Sequence, residues 1–140
     1  MDKPESPTSV VVVDDDPALS DLLVQYINVL GFRAVAVPPD SSEQVAFSIV
    51  AQTPDVVLLD IDLGETSGLD VARDLRQHGY DGTVVAMTGL VFTEPPGKGR
   101  LVSFNALWSK PIDPDRIGFG LLRSGDRTGQ KIFQESAKLR

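Results

Sequence analysis

The stretch 10-VVVVDDDP-17 runs four β-branched apolar residues into three consecutive carboxylates and a proline. A short, unbroken apolar run is the pattern of a strand covered on both faces. Asp16 followed by Pro17 is the N-cap and first-turn pair that opens a helix. Asp14 and Asp15 are then left at the mouth of a buried strand, where neighbouring carboxylates repel one another unless something cationic offsets them.

Working outward, Leu19, Leu22, Leu23, Tyr26, Ile27 and Leu30 keep helical spacing until Gly31 ends the segment. Arg33–Val37 alternates as a short strand, and Asp40 or Ser41 caps a second helix carrying Val45, Ala46, Phe47, Ile49 and Val50 before Pro54. Val56–Leu59 is a third strand and again runs into an acid, Asp60. The loop IDLGETSG leads to a helix with Leu69, Val71, Ala72 and Leu75 on its inner side, ending near Gly79. Thr83–Met87 and Ala106–Ser109 read as the fourth and fifth strands, and Asp113-Pro114 opens a last helix through about Leu122.

Strands alternating with helices predict an α/β fold, a five-stranded parallel sheet with helices on both faces. For the order 2-1-3-4-5, ligands sit beyond the carboxyl ends of strands one and three, where strand order reverses. Those strands end in Asp14-Asp15 and Asp60. Thr88 and Lys110 follow the fourth and fifth strands, so the same edge also receives a hydroxyl and an ammonium.

Hard carboxylate oxygens suit Mg2+, which takes one or two protein carboxylates, waters and phosphate oxygens. Asp15, Asp60 and a backbone carbonyl just after Asp60 could supply the protein ligands. A carboxylate beside a cation, a hydroxyl and an ammonium is what phosphoryl transfer requires: a nucleophile, with donors for the phosphoryl oxygens.

Composition narrows the classes. The 140 residues suit one domain, and 20 acidic against 13 basic side chains, a formal charge of −7, argue against direct nucleic-acid binding or an anionic membrane surface. No cysteine is present, which removes disulfides, thiolate metal sites and thiol nucleophiles. The start MDKPESPTS has no apolar signal core and no run is long enough to span a bilayer, so a cytoplasmic location is expected.

The order DD, D, T and KP at successive strand ends resembles the receiver domain of two-component response regulators, with its flavodoxin-like fold, over about Val10 to Leu122. The resemblance implies that Asp60 is the phosphoacceptor and Asp15 a direct Mg2+ ligand. Asp14 would be a water-mediated ligand and the carbonyl of Asp62 the third protein ligand. Thr88 and Lys110 would bind the phosphoryl group, and Lys110-Pro111 would be a cis peptide. Counting back from the LGF turn at Leu30–Phe32 selects Asp14 and Asp15 as the acidic pair and leaves Asp16 as the cap. The implied phosphodonor is a histidine kinase or histidine phosphotransfer protein. The implied output is altered binding of a downstream protein partner, with a homodimer left open.

The chain departs from that pattern in one region. Between Thr88 and Lys110 the family carries a fourth helix, but GLVFTEPPGKGRLVSFNA places Pro95-Pro96, Gly97 and Gly99 there, so this helix is expected to be missing, shortened or displaced. GKGR does not satisfy a phosphate-loop motif and reads as a solvated loop. Leu107 occupies the position where the family commonly has an aromatic switch residue, and Trp108 beside it reads as core or a partner contact. Leu90 would shield an acyl phosphate from water and slow its hydrolysis. His78, the only histidine, sits near a helix C-terminus, where a cation suits the dipole.

The expected organisation is a disordered segment over residues 1–9, a receiver domain over 10–123, and a tail over 124–140 with no separate output domain. In that tail Arg127, Lys131, Lys138 and Arg140 outnumber Asp126 and Glu135, so it reads as a linker, a short amphipathic helix or a docking segment. Two other functions compete with the phosphorylation switch. One is a receiver-like binding module that has lost switching. The other is a haloacid-dehalogenase-like phosphatase using DIDLG, Asp60–Gly64, though that motif lies far from the chain start and leaves Asp14-Asp15 without a role.

Overall fold

A computed structural model describes residues 8–124. Strand β1 (Ser9–Val13) feeds helix α1 (Pro17–Val29), followed by β2 (Arg33–Ala36), α2 (Ser42–Gln52) and β3 (Val56–Asp60). A hairpin of β4 (Asp62–Leu63) and β5 (Thr66–Ser67) precedes α3 (Gly68–Gln77), β6 (Thr83–Thr88), a 3-10 turn (Gly99–Leu101), β7 (Ala106–Ser109) and α4 (Pro114–Ser124). The main sheet is parallel throughout, in the order β2-β1-β3-β6-β7. With the hairpin left out of the count, this is the expected 2-1-3-4-5.

The apolar strands are buried because both faces are covered. Alternate residues serve opposite sides: Val11, Val13, Val57, Leu59, Val84 and Ala86 pack with α2 and α3. Val10, Val12, Val56, Leu58, Val85 and Met87 face Leu23 and Ile27 of α1 and Ile117 and Leu121 of α4. The period-two alternation of side chains thus divides one continuous valine run between two cores.

Local signals set the helix ends. The Asp16 carboxylate accepts the amides of Ala18 and Leu19 at the start of α1, with Pro17 beside it. Ser41, not Asp40, caps α2 through the Gln44 amide, while Asp40 accepts the Ser41 amide instead. At the other end of α1, Gly31 takes a φ of 101°, a left-handed turn that glycine adopts without a Cβ penalty.

Several expectations need correction. Leu22 and Phe47 are 63% and 66% exposed, so they are outside the core. Helical spacing put six apolar positions on α1, more than the stripe that meets the sheet. Leu30 is also exposed, because α1 has already ended at Val29. The IDLGETSG loop holds a two-stranded hairpin rather than irregular chain.

The expected disorder of residues 1–9 and the tail over 124–140 fall almost wholly outside the described residues. At the boundaries Ser9 already belongs to β1 and Ser124 to α4. The Ser9 amide donates to the Asp55 carboxylate and the Thr8 carbonyl accepts the Arg33 amide, which extends order by two residues.

No α-helix forms between β6 and β7. Leu101 and Phe104 are buried against the α2 and α3 side of the sheet, with Phe92 partly buried beside them, and they fill the space a helix would cover. Around them the segment is tied to itself. Glu94 accepts two bonds from the Arg100 guanidinium and one from its amide, Arg100 lies 4.7 Å over the Phe92 ring, and the Gly97 amide donates to the Leu101 carbonyl. Among the described residues, no helix is long and apolar enough to cross a membrane.

Candidate functional site

The carboxyl ends of β1, β3, β6 and β7 meet at one edge of the sheet, and each delivers a polar group there. Parallel register aligns them: Val13 lies beside Leu59, Asp60 beside Met87, and Thr88 beside Ser109. The site is therefore a consequence of strand register, with one functional residue one step past, or at, each strand end.

The three aspartates after β1 do three different things. Asp14 is 3% exposed; its Oδ1 accepts the Asp16 amide at 2.9 Å and its Oδ2 accepts the Lys110 ammonium at 3.0 Å. Asp15 is exposed and lines the cleft, while Asp16 caps α1.

Asp60, 4% exposed, accepts the Asp62 amide on Oδ1 at 3.1 Å and Lys110 on Oδ2 at 3.0 Å. Lys110 thus bridges two buried carboxylates from the far strand, charge-assisted contacts that make an otherwise costly pair tolerable. Its own backbone amide donates to the Thr88 carbonyl at 2.8 Å, which fixes the ammonium relative to β6. The Lys110-Pro111 peptide is cis, as expected.

Burial pushes the Asp60 carboxyl above its ordinary range, and the Asp14 charge adds to this, against the opposing pull of the Lys110 and Asp62 hydrogen bonds. For Lys110, burial works to lower the pKa, but the hydrogen bonds and charges of Asp14 and Asp60 together raise it. The ammonium therefore stays protonated at neutral pH.

Thr88 is buried, and its Oγ1 accepts the Leu90 amide at 2.9 Å. With that acceptor position used, its hydroxyl proton is directed elsewhere. A cleft of about 250 Å³ is lined by Asp15, Asp60, Asp62, Thr88, Leu90 and Lys110. One carboxylate oxygen from each of Asp14, Asp15 and Asp60 lies within 4.8 Å of the other two. All six expected site residues are thus gathered here. Asp62 is exposed, and its carboxylate accepts the Gly64 amide, so its side chain serves the hairpin turn.

His78 is elsewhere, as the C-cap of α3; its Nδ1 donates to the Asp74 carbonyl at 2.7 Å. Trp108 is buried in the core.

Sequence reasoning missed Gly68. A Cβ there would be driven onto the Asp60 carbonyl oxygen and to 2.8 Å from the Ile61 Cα. The Gly68 amide donates to the Ile61 carbonyl at 2.7 Å, so α3 starts pressed against the chain that carries Asp60. The signal was present in the S-G pair before an apolar helix, where Ser67 caps α3 through the Leu69 amide. What the glycine approaches is a non-local fact.

A parallel sheet edge that gathers three carboxylates, a hydroxyl and an ammonium around a small cleft defines a pocket for a hard cation and an oxyanion. Residues 10–118 match the family model described as the response regulator receiver domain, and the chain belongs to that family. It is 29% identical over 133 residues to the probable transcriptional regulatory protein TcrX of Mycobacterium tuberculosis, covering 95% of this chain and 56% of that protein. It is 38% identical over 66 residues to the regulatory protein VirG of Agrobacterium fabrum, covering 47% of this chain and 25% of that protein. The chain thus spans about half the length of the first relative and a quarter of the second.

Among solved structures, the receiver domain of the Francisella response regulator 1452 superposes with a TM-score of 0.74 at 20% identity, covering 86% of this chain and 98% of that one. The signal receiver domain of a LuxO-type repressor from Vibrio parahaemolyticus gives 0.71 at 22% identity, covering 85% and 93%. At these identities the likeness is one of fold.

Proposed function

We propose that Asp60 accepts a phosphoryl group from a phosphohistidine on a histidine kinase or histidine phosphotransfer protein. The observation that carries this reading is the Lys110 ammonium held 3.0 Å from both Asp14 and Asp60, with Asp15 completing a set of carboxylates whose oxygens lie within 4.8 Å. In the transfer, an Asp60 oxygen bonds to phosphorus, the phosphorus–nitrogen bond breaks, and the imidazole leaves as the neutral ring after taking a proton. Lys110 and the Thr88 hydroxyl then face the phosphoryl oxygens. A solved complex of the histidine kinase ThkA with the response regulator TrrA, whose fold this chain shares at a TM-score of 0.72, supports a kinase as donor.

The all-oxygen, anionic donor set fits Mg2+. Asp15 and Asp60 would hold it directly, Asp14 through water, and the Asp62 carbonyl would be the third protein ligand. When bound, the cation offsets charge on the phosphoryl oxygens. Lys110 alone neutralises part of the carboxylate cluster, which leaves negative charge for a divalent ion.

The chain acts as a phosphoacceptor rather than as an enzyme, within a unit spanning residues 10–123, and works in the cytoplasm. Leu90, 61% exposed on the cleft lining, slows hydrolysis of the acyl phosphate. Phosphorylation changes the 89–105 segment through the Thr88–Leu90 bond and so changes binding of a protein partner, including a second copy. The phosphatase alternative is weakened because the Asp62 carboxylate is engaged by the Gly64 amide.

The test is incubation with Mg2+ and acetyl phosphate. An acid-stable, hydroxylamine-labile adduct is expected on the wild type and not on Asp60→Asn. No labelling with any donor overturns the proposal in favour of a binding module. Steady turnover of monoesters that depends on Asp62 overturns it in favour of a phosphatase.

A further inference from the structure

We infer that the Asn28 side chain stands in for a neighbouring strand along the outer edge of β2 and keeps that edge from pairing with the β2 of a second copy. Strand β2 ends the sheet. The Arg33 amide donates to the Thr8 carbonyl and the Val37 amide to the Val12 carbonyl, so Arg33, Val35 and Val37 turn their backbone groups toward β1. Ala34 and Ala36 turn theirs away from the sheet.

Such an edge is a template for strand addition, and at Ala34 the template is already filled. From the last turn of α1, the Asn28 Oδ1 accepts the Ala34 amide at 2.9 Å and the Asn28 Nδ2 donates to the Ala34 carbonyl at 3.3 Å. One carboxamide thus makes both bonds that a residue on an adjoining antiparallel strand would exchange with Ala34. Asn28 is exposed, and alanine is the better helix former at such a position. What asparagine contributes here is the pair of edge bonds.

Register decides how much this cap excludes. A second copy meeting the edge about a two-fold axis pairs antiparallel with it. With the axis at Val35, Ala34 faces the copy's Ala36 and Ala36 faces the copy's Ala34, so every hydrogen-bonded pair contains a capped residue. With the axis at Ala36, Ala34 faces the copy's Pro38, which has no N–H to give. With the axis at Ala34, Ala36 faces the copy's Phe32, whose amide already donates to the Ile27 carbonyl. The Val35 register is the one that Asn28 alone closes. It would also set Val35, 39% exposed, against its own copy at a closely spaced position, where β-branched pairs pack well.

Asn28→Ala in the full chain tests this. Sedimentation equilibrium over a concentration series is expected to show self-association about tenfold stronger than in the wild type. Adding Val35→Lys sets like charges opposite each other at the axis and is expected to return association to the wild-type level. One measurement needs no variant: in the wild type the Ala34 amide should exchange with deuterium about tenfold more slowly than the Ala36 amide. A folded Asn28→Ala chain that associates no more than the wild type overturns the inference, as do equal exchange rates at Ala34 and Ala36. Association that persists with Val35→Lys overturns it in favour of another surface.

Discussion

The Arg76 guanidinium donates to the side-chain oxygen of Asn105 at 2.9 Å, and that same oxygen receives the Val84 amide at 2.8 Å. Arg76 also donates to the carbonyls of Ser103, Tyr80 and Gly82, so one half-buried side chain ties α3 to the turn before β6 and to the chain just before β7. Arg76→Ala leaves three carbonyls and an amide oxygen short of a donor, and a loss of about 2–4 kcal/mol is expected in urea unfolding. Arg76→Lys recovers less than half, because a point ammonium cannot serve a planar fork of acceptors. Adduct formation per folded molecule at Asp60 stays unchanged, since the network lies at the opposite edge.

Gly68→Ala is expected to damage the acidic site from outside it. The added methyl collides with the Asp60 carbonyl and crowds Ile61, backbone that has no soft direction to yield. Overpacking of this kind costs about 1–3 kcal/mol, and here it also displaces Asp60. A lowered melting temperature with loss of the Asp60 adduct is the expected pair of readouts. Wild-type labelling would show that α3 can shift without moving Asp60.

Removing the lysine should make the pocket hungrier for cations. In Lys110→Met the buried Asp14 and Asp60 carboxylates lose their shared counter-charge, so the metal-free protein melts earlier. Mg2+ no longer competes with an ammonium 3.0 Å from both carboxylates, and its affinity rises by about tenfold. Thermal melts over a Mg2+ series should therefore show a larger upward shift in the variant than in the wild type. A smaller shift would mean that Lys110 organises the carboxylates for the metal instead of opposing it.

The Glu94–Arg100 pair predicts an acid limit for the 89–105 segment. Hydrogen bonds from Arg100 hold the Glu94 carboxyl at about 2, below its ordinary value of 4.5. A depressed carboxyl contributes stability that is present above its unfolded pKa and lost as pH falls through the folded one. The difference in protease resistance of this segment between wild type and Glu94→Gln should thus be constant above about pH 4.5 and vanish toward pH 2. The Arg100 side chain is 61% exposed against 19% for Glu94, so the pair is open to solvent from the arginine side and added salt should narrow the difference at neutral pH.

The strands and the acidic cluster were legible because their signals are local. Four consecutive valines carry the pattern of a covered strand, Asp16-Pro17 is a helix start in two residues, and Asp14, Asp60, Thr88 and Lys110 each follow an apolar run. The Pro95-Pro96 and glycine content likewise pointed to a missing, shortened or displaced helix before β7 without any knowledge of neighbours, and only a 3-10 turn forms there. What escaped depends on distant chain. Leu22 and Phe47 fit helical spacing, but only the sheet's width decides how much of α1 and α2 it covers. Asn105 is one polar residue in a loop until Arg76 and Val84 are brought to it, and Gly68 is ordinary until α3 lies on Asp60.

Lys110 contacts Asp14 and Asp60 across sequence separations of 96 and 50 residues. A chain emerging from the ribosome therefore exposes both carboxylates, and can align β1 with β3, well before their neutralising lysine exists. Closure of such long loops is slow relative to local structure. The charge balance of the acidic cleft accordingly rests on β7, the last strand of the sheet in the sequence.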